Sequence, residues 1–296
     1  MQSLIRVFIF VCCLLINLPG IAVAETRIVL PADRNATDTR SDYTVQLLRK
    51  ALDATVKTHG PYDIQWAKAV RVQERVLKEM AAGKGEINLT FSGASTLRDE
   101  MLLPIRIPIA KGMLGYRIFI IRADKKDVFE KARSIDDLTK LTACQGVGWP
   151  DSDILKEGGL RVHEATTYEG LFKMVSSGRC DFFPRAVHEP YLELLARKDK
   201  FPDLVIENTW LIHYPFATYF YLKKQDTELA ERLTIGLNIL LDNGMFEKHM
   251  KEHPATKSVL DMLKGMKKRK LLELENPFLH PDTPLDDERL WWKIDD

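Results

Sequence analysis

The sequence predicts an α/β protein of two lobes, each a mostly parallel sheet flanked by helices. Two observations lead there. Short extended apolar runs alternate with segments whose apolar residues recur at three- and four-residue spacing, the order of parts that builds βαβ units. The chain of 296 residues, 45% of them hydrophobic, is also long enough to fill two ordinary cores.

Residues 1–24 read as a secretory signal. Arg6 is the sole charge before Glu25, Val7 to Leu18 is almost wholly apolar, and Ala22-Val-Ala24 offers small residues for cleavage. The apolar segment is too short to span a bilayer, so a mature exported protein starting at Glu25 is expected; a retained N-terminal anchor is the alternative. Cys12 and Cys13 lack the small-residue context of a lipidated cysteine, so no lipoprotein is expected. The chain carries 43 basic and 42 acidic residues, and only Arg6 falls in the signal, which leaves the mature chain formally neutral. Such a balance gives no support to nucleic acid as a partner. Cys144 and Cys180 both survive processing. An exported pair suggests a bridge contributing about 3–4 kcal/mol, with two buried free thiols as the alternative.

The elements follow in order. Arg27 to Ala32 is a first strand, and Tyr43, Leu47, Leu48, Leu52 and Val56 mark one face of a helix. Gly60-Pro61 turns the chain into a strand over Tyr62 to Ala67. Val72, Val76, Leu77 and Met80 mark another helix, stopped by Gly83 and Gly85. Ile87 to Phe91 is a third strand, and Ser92 to Arg98 is a loop entering a helical turn. Pro104 to Ala110 is extended, and Tyr116 to Ile121 is a continuous apolar strand before a rise in charge from Arg122 to Lys131. Ser134 to Leu138 begins a short helix. Cys144 to Trp149 opens a second α/β unit, with Asp151-Ser-Asp153 able to cap the helix that follows. Leu160 to Val162 is a strand, and Tyr168, Leu171, Phe172 and Val175 lie on a helix ended by Gly178.

Cys180 to Phe183 is then a short buried strand. Pro184 has no N–H for a ladder and should end it, delivering Arg185, His188 and Glu189 beyond the strand's carboxyl end, the rim where open α/β sheets bind ligands. Residues 190–197 are helical and Leu204 to Glu207 is a strand. Tyr214 to Leu222 carries the chain back. Leu229, Leu233, Leu237, Leu240 and Leu241 form a helix stripe ended by Asn243-Gly244, and Phe246 to His253 is a short helix ended by Pro254. The basic run Lys264 to Lys270 reads as a solvated helix end. The polar tail from Pro277 closes on Leu290-Trp-Trp292, which should pin it to a lobe.

Several short segments, weak alone and specific in their order, resemble the type II periplasmic solute-binding proteins, in particular the family 3 polar-amino-acid binders that feed ABC importers. They are Gly115 to Lys125 with Ser134-Ile-Asp-Asp-Leu138, Gly146-Val-Gly148, Gly178-Arg-Cys-Asp181 and Asn243-Gly-Met-Phe246. The resemblance covers roughly residues 26–252 and leaves 255–296 without a counterpart. It implies a periplasmic-binding-protein-like fold with two crossover strands at the hinge, near 121–125 and 213–217. Lobe one would comprise 25–121 and 217–296, lobe two 122–216, closing on a small ligand.

Ser95-Thr-Leu-Arg98 resembles the family's T-x-x-R element, whose arginine clamps a ligand carboxylate; a guanidinium offers a planar fork that stays charged. The alternative is a surface pair with Asp99 or Glu100. The family's ammonium anchor falls on Ala186, with Arg185 beside it, and Trp149-Pro-Asp-Ser152 replaces the small residues that usually meet the carboxylate. Arg98 and Arg185 on opposite walls, with Ser95 and Ser152 nearby, would suit a ligand with one or two anionic groups. Trp149, Phe91 and Tyr43 would supply a stacking surface or belong to the core. His188 and Glu189 would orient Arg185 or begin a helix.

His249-Met-Lys-Glu-His253 matches a zinc-peptidase pattern, but its short helix favours coincidence. The reading is therefore a monomeric binding protein with no cofactor, metal or chemistry of its own, working with an inner-membrane ABC permease or a sensor kinase. A dehydratase-like enzyme using Glu189 or Asp151 is the rival.

Overall fold

A computed structural model describes residues 25–32, 42–187, 189–257, 266 and 268–292. The signal segment, residues 33–41, His188, and Lys264, Gly265 and Lys267 of the basic run lie outside them. No helix among the described residues is long and apolar enough to cross a membrane.

The order is β1 (Thr26–Leu30), α1 (Asp42–Ala54), α2 (Val56–His59), β2 (Tyr62–Trp66), α3 (Gln73–Ala81), β3 (Leu89–Gly93), α4 (Thr96–Met101), β4 (Leu103–Ile105), β5 (Tyr116–Arg122), α5 (Lys126–Lys131), α6 (Ile135–Leu138) and β6 (Thr142–Gly146). Then come α7 (Pro150–Glu157), β7 (Arg161–Ala165), α8 (Tyr168–Ser176), β8 (Phe182–Ala186), α9 (Pro190–Leu195), β9 (Leu204–Ile206), β10 (Trp210–His213), β11 (Thr218–Leu222), α10 (Thr227–Asp242), α11 (Met245–Glu252) and β12 (Lys270–Glu273).

In the first lobe β1 and β2 pair in parallel, while β11 lies antiparallel between β3 and β4. The sheets are thus mixed rather than mostly parallel, because the returning strand β11 runs against β3. All five residues of β11 are buried. Its alternation explains why: Phe220 and Leu222 join a core with Leu47 and Leu48 of α1 and Leu233 and Leu237 of α10, whereas Tyr219 and Tyr221 join one with Val76, Leu77 and Met80 of α3.

The second sheet runs β12-β10-β5-β8-β6-β7, with β9 also on β5. Phe119 and Phe182 face a core with Phe129, Ile154 and Leu155; Ile120 and Phe183 face the opposite one with Leu171, Phe172 and Val175 of α8. Each such buried side chain contributes about 1.5–3 kcal/mol. Strand β5 pairs with β8, β9 and β10, so the chain has joined the second sheet by Tyr116 and not at the charged stretch 121–125. The β5 residues from Tyr116 to Ile121 are all buried, and the strand's backbone is paired to β8 along one edge and to β9 and β10 along the other. The chain leaves it after His213 and rejoins the first lobe at Thr218. The two crossings touch where Tyr214 N–H donates to Gly115 O at 3.2 Å. A Cβ on Gly115 would stand 2.1 Å from the Tyr214 carbonyl oxygen, so glycine alone fits.

Pro184 does not end β8; the strand runs on to Ala186 and contains Arg185. Val187 N–H donates to Tyr116 O, and antiparallel alternation then puts Pro184, opposite Phe119, at a position that owes β5 no N–H. On the other edge the ladder to β6 is registered at Ala143↔Phe182, ahead of the proline. The basic run departs from a solvated helix end: Arg269 donates to Glu207 O at 2.7 Å and Trp210 O at 2.9 Å, and Lys270 opens β12.

Cys144, within β6, and Cys180, ahead of β8, form a disulfide beneath α8, 36 residues apart. Replacing both by alanine should lower the free energy of unfolding by about 3–4 kcal/mol. Urea denaturation with and without reductant checks this; coincident midpoints for wild type and variant would contradict it.

Candidate functional site

Helix α4 begins at a polar cap. Ser95 is its N-cap, its Oγ accepting from the Arg98 N–H at 3.4 Å, so Ser95 serves the helix. One turn on, the Arg98 side chain is 5% exposed. Its Nη1 donates to Ser92 Oγ and, at 2.8 Å, to Gly93 O; its Nη2 crosses to lobe two and donates to Gly148 O at 2.7 Å. Among the described residues no carboxylate lies within ion-pair distance of this guanidinium. Burial pushes its pKa down from the ordinary value, with Tyr221, Glu74 and Asp151 acting against that, and an arginine still keeps its charge. Arg98 is therefore a buried cation with neutral acceptors only, joining both lobes. The alternative surface pair fails, since Asp99 is buried with Arg106 at 2.5 Å and the Tyr221 hydroxyl at 2.6 Å.

Arg185 lies elsewhere in the ionic balance. It is 4% exposed, donates to Glu193 at 2.9 and 2.6 Å, and pairs with Glu189 at 2.6 Å. Trp149, Tyr168 and Phe183 surround the guanidinium with ring centroids 5.5, 5.7 and 4.9 Å away. Burial alone would lower its pKa, but the two carboxylates more than offset that and hold it well above the ordinary value. Its capacity for a carboxylate is already taken. Glu189 also accepts from Ala186 N–H at 2.8 Å and stands at the N-terminal boundary of α9, where its side chain makes no cap hydrogen bond.

A third arginine, Arg117 on β5, escaped the sequence reading. It is buried, in ion-pair contact with Asp151, 3.8 Å from Glu189, and flanked by the Tyr214 and Phe216 rings at 5.6 and 5.4 Å. Tyr214 donates its hydroxyl to Asp151 at 2.5 Å. Arg117 Nε and the neighbouring Ser152 Oγ are buried without a hydrogen-bond partner. The signal was there: one cation inside Tyr116-Arg-Ile-Phe-Ile-Ile121 must be paired or functional.

The proposed aromatic wall is divided. Trp149 covers Arg185 and lines an interlobe cleft of about 630 Å³, whose other wall is the α3 segment from Val72 to Ala82. Tyr43 stands apart in the lobe-one core, stacked 4.7 Å from His249 with its hydroxyl on Ile109 O. Phe91 is half-buried and packs against the same core. His249 Nε2 meets Tyr43 O at 2.9 Å and His253 Nε2 meets Asp42 at 3.1 Å; burial lowers the His249 pKa. No group of three potential metal ligands occurs among the described residues.

No protein-family model and no curated protein sequence matches this chain. Solved structures do. An amino acid ABC transporter substrate-binding protein from Streptococcus pneumoniae bound to L-arginine is 15% identical, with a TM-score of 0.52, over 79% of this chain and 95% of that one. A histidine kinase sensor domain with similarity to periplasmic binding proteins is 17% identical, with a TM-score of 0.53, over 76% and 94%. An ancestral amino-acid-binding protein, a precursor of cyclohexadienyl dehydratase, is 14% identical, with a TM-score of 0.51, over 77% and 94%. The chain has the α/β fold of the periplasmic binding proteins.

Proposed function

We propose that this is a periplasmic binding protein that captures a small carboxylate-bearing solute between its lobes for ABC-type import. One observation carries the reading: Arg98 is a buried guanidinium with no carboxylate partner among the described residues, reaching from α4 to the carbonyl of Gly148, a residue that lines the cleft. A ligand carboxylate could take both of its Nη groups at once, a stronger pairing than the carbonyls give. The amino acid ligand of the pneumococcal structure supports that class. Lobe one would comprise the N-terminal part and the return from β11, lobe two the middle.

The same cleft would serve a monomeric sensor that presents its ligand state to a membrane kinase, in keeping with the sensor-domain likeness. Binding is favoured over a dehydratase-like reaction because the candidate carboxylates Asp151 and Glu189 are held in ion pairs with Arg117 and Arg185.

A thermal-shift screen against arginine, lysine, glutamate, succinate and neutral sugars tests the reading. A ligand at 100 times its Kd should stabilise by about 2.7 kcal/mol. A response to the sugars alone, or to none of the panel, would overturn it.

A further inference from the structure

We propose that the C-terminal segment Lys270–Trp292 is a strap across the hinge, a third link between the lobes that limits how far the cleft opens and positions the helix bearing Arg98. The inference stands on geometry and does not require the ligand reading.

The strap is anchored at three places. In lobe two, β12 pairs in parallel with β10; Lys270 N–H donates to Thr209 O at 2.7 Å and Leu274 N–H to His213 O at 2.8 Å. At the hinge, Asn276 Nδ2 donates to Pro215 O at 2.8 Å, within the second crossing. In lobe one, Phe278 O accepts from both the N–H and the hydroxyl of Thr96, at 2.8 and 3.1 Å. Thr96 opens α4, so this carbonyl satisfies a first-turn donor of the helix that carries Arg98. The Phe278 ring meanwhile packs against the lobe-two core. Farther on, Trp292 N–H donates to Lys111 O at 2.8 Å, Leu290 and Trp292 are buried in the lobe-one core, and the Trp291 ring lies where a Cβ on Gly112 would be 2.5 Å from it.

The mechanical consequence follows from chain length. Leu274 is bonded to lobe two and Phe278 to lobe one. The four residue steps between them reach at most about 14 Å when fully extended, and Pro277 stiffens the link. Two crossings alone leave a hinge free to swing, whereas a short third tie beside them must lengthen or detach when the lobes part.

The test is pulsed electron-spin distance measurement on the ligand-free full chain, with nitroxides at the exposed positions Lys57 of lobe one and Lys173 of lobe two. An eight-residue Gly-Ser insertion between Glu275 and Asn276 keeps both anchors and adds slack. Its distance distribution should broaden and gain a longer component relative to the parent. A distribution superimposable on the parent's overturns the proposal. Should the insertion not fold, the double variant Asn276→Ala, Pro277→Gly gives the same readout with the same two outcomes. A merely stabilising tail would lower Tm and leave the distances unmoved, and that outcome also counts against the strap.

Discussion

Arg98→Ala should weaken ligand binding by roughly 30-fold to several thousand-fold, the range for truncating one partner of a buried charged pair. The free protein should lose about 1–3 kcal/mol, since Ser92 Oγ and the Gly93 and Gly148 carbonyls lose their donor, and should stay folded. Arg98→Lys keeps the charge without the planar fork and should fall between the two. Isothermal titration with whichever solute shifts the wild type provides the measurement. An alanine variant that titrates like wild type would remove Arg98 from the site.

For Arg185→Ala the expected result is of another kind. Removing this guanidinium strands the Glu189 and Glu193 carboxylates side by side in a buried setting, which should cost about 3–5 kcal/mol of stability. Equilibrium urea unfolding reads the loss. The triple variant Arg185→Met, Glu189→Gln, Glu193→Gln should recover most of it, because it removes Arg185 together with both of its carboxylate partners and leaves Arg117 paired with Asp151. If Arg185→Ala unfolds like wild type yet loses ligand response, Arg185 is a ligand residue after all.

These two arginines mark where the sequence was readable and where it was not. Helices α1, α8 and α10 declared themselves through apolar spacing and glycine stops. Arg98 was singled out because Ser95-Thr-Leu-Arg98 resembles the T-x-x-R element of the amino-acid binders; that Ser95 caps α4 emerged only from the structure. The ion pairs of Arg185 were not legible because its partners, Glu189 and Glu193, approach through the α9 turn, and that depends on β8 running through Pro184. Local propensity ended the strand; the alternation of hydrogen-bonded positions along β5 let it continue. Strands β10 and β12 were missed for a related reason. Lys-Leu-Leu-Glu is a strand only because Trp210–His213 offers it an edge, and that pairing spans about sixty residues of chain. Arg117 was the oversight with a usable warning, a lone cation in an apolar run.

The position of β12 has one more consequence, for solubility. Trp210, Leu211 and Ile212 of β10 are nearly inaccessible, and their strand would otherwise border water with its backbone groups unpaired. An uncovered margin of that composition is a template for another chain. By folding its own tail onto it, the molecule shields that edge and moves the margin of the sheet to a short strand with a charged residue at each end, Lys270 and Glu273.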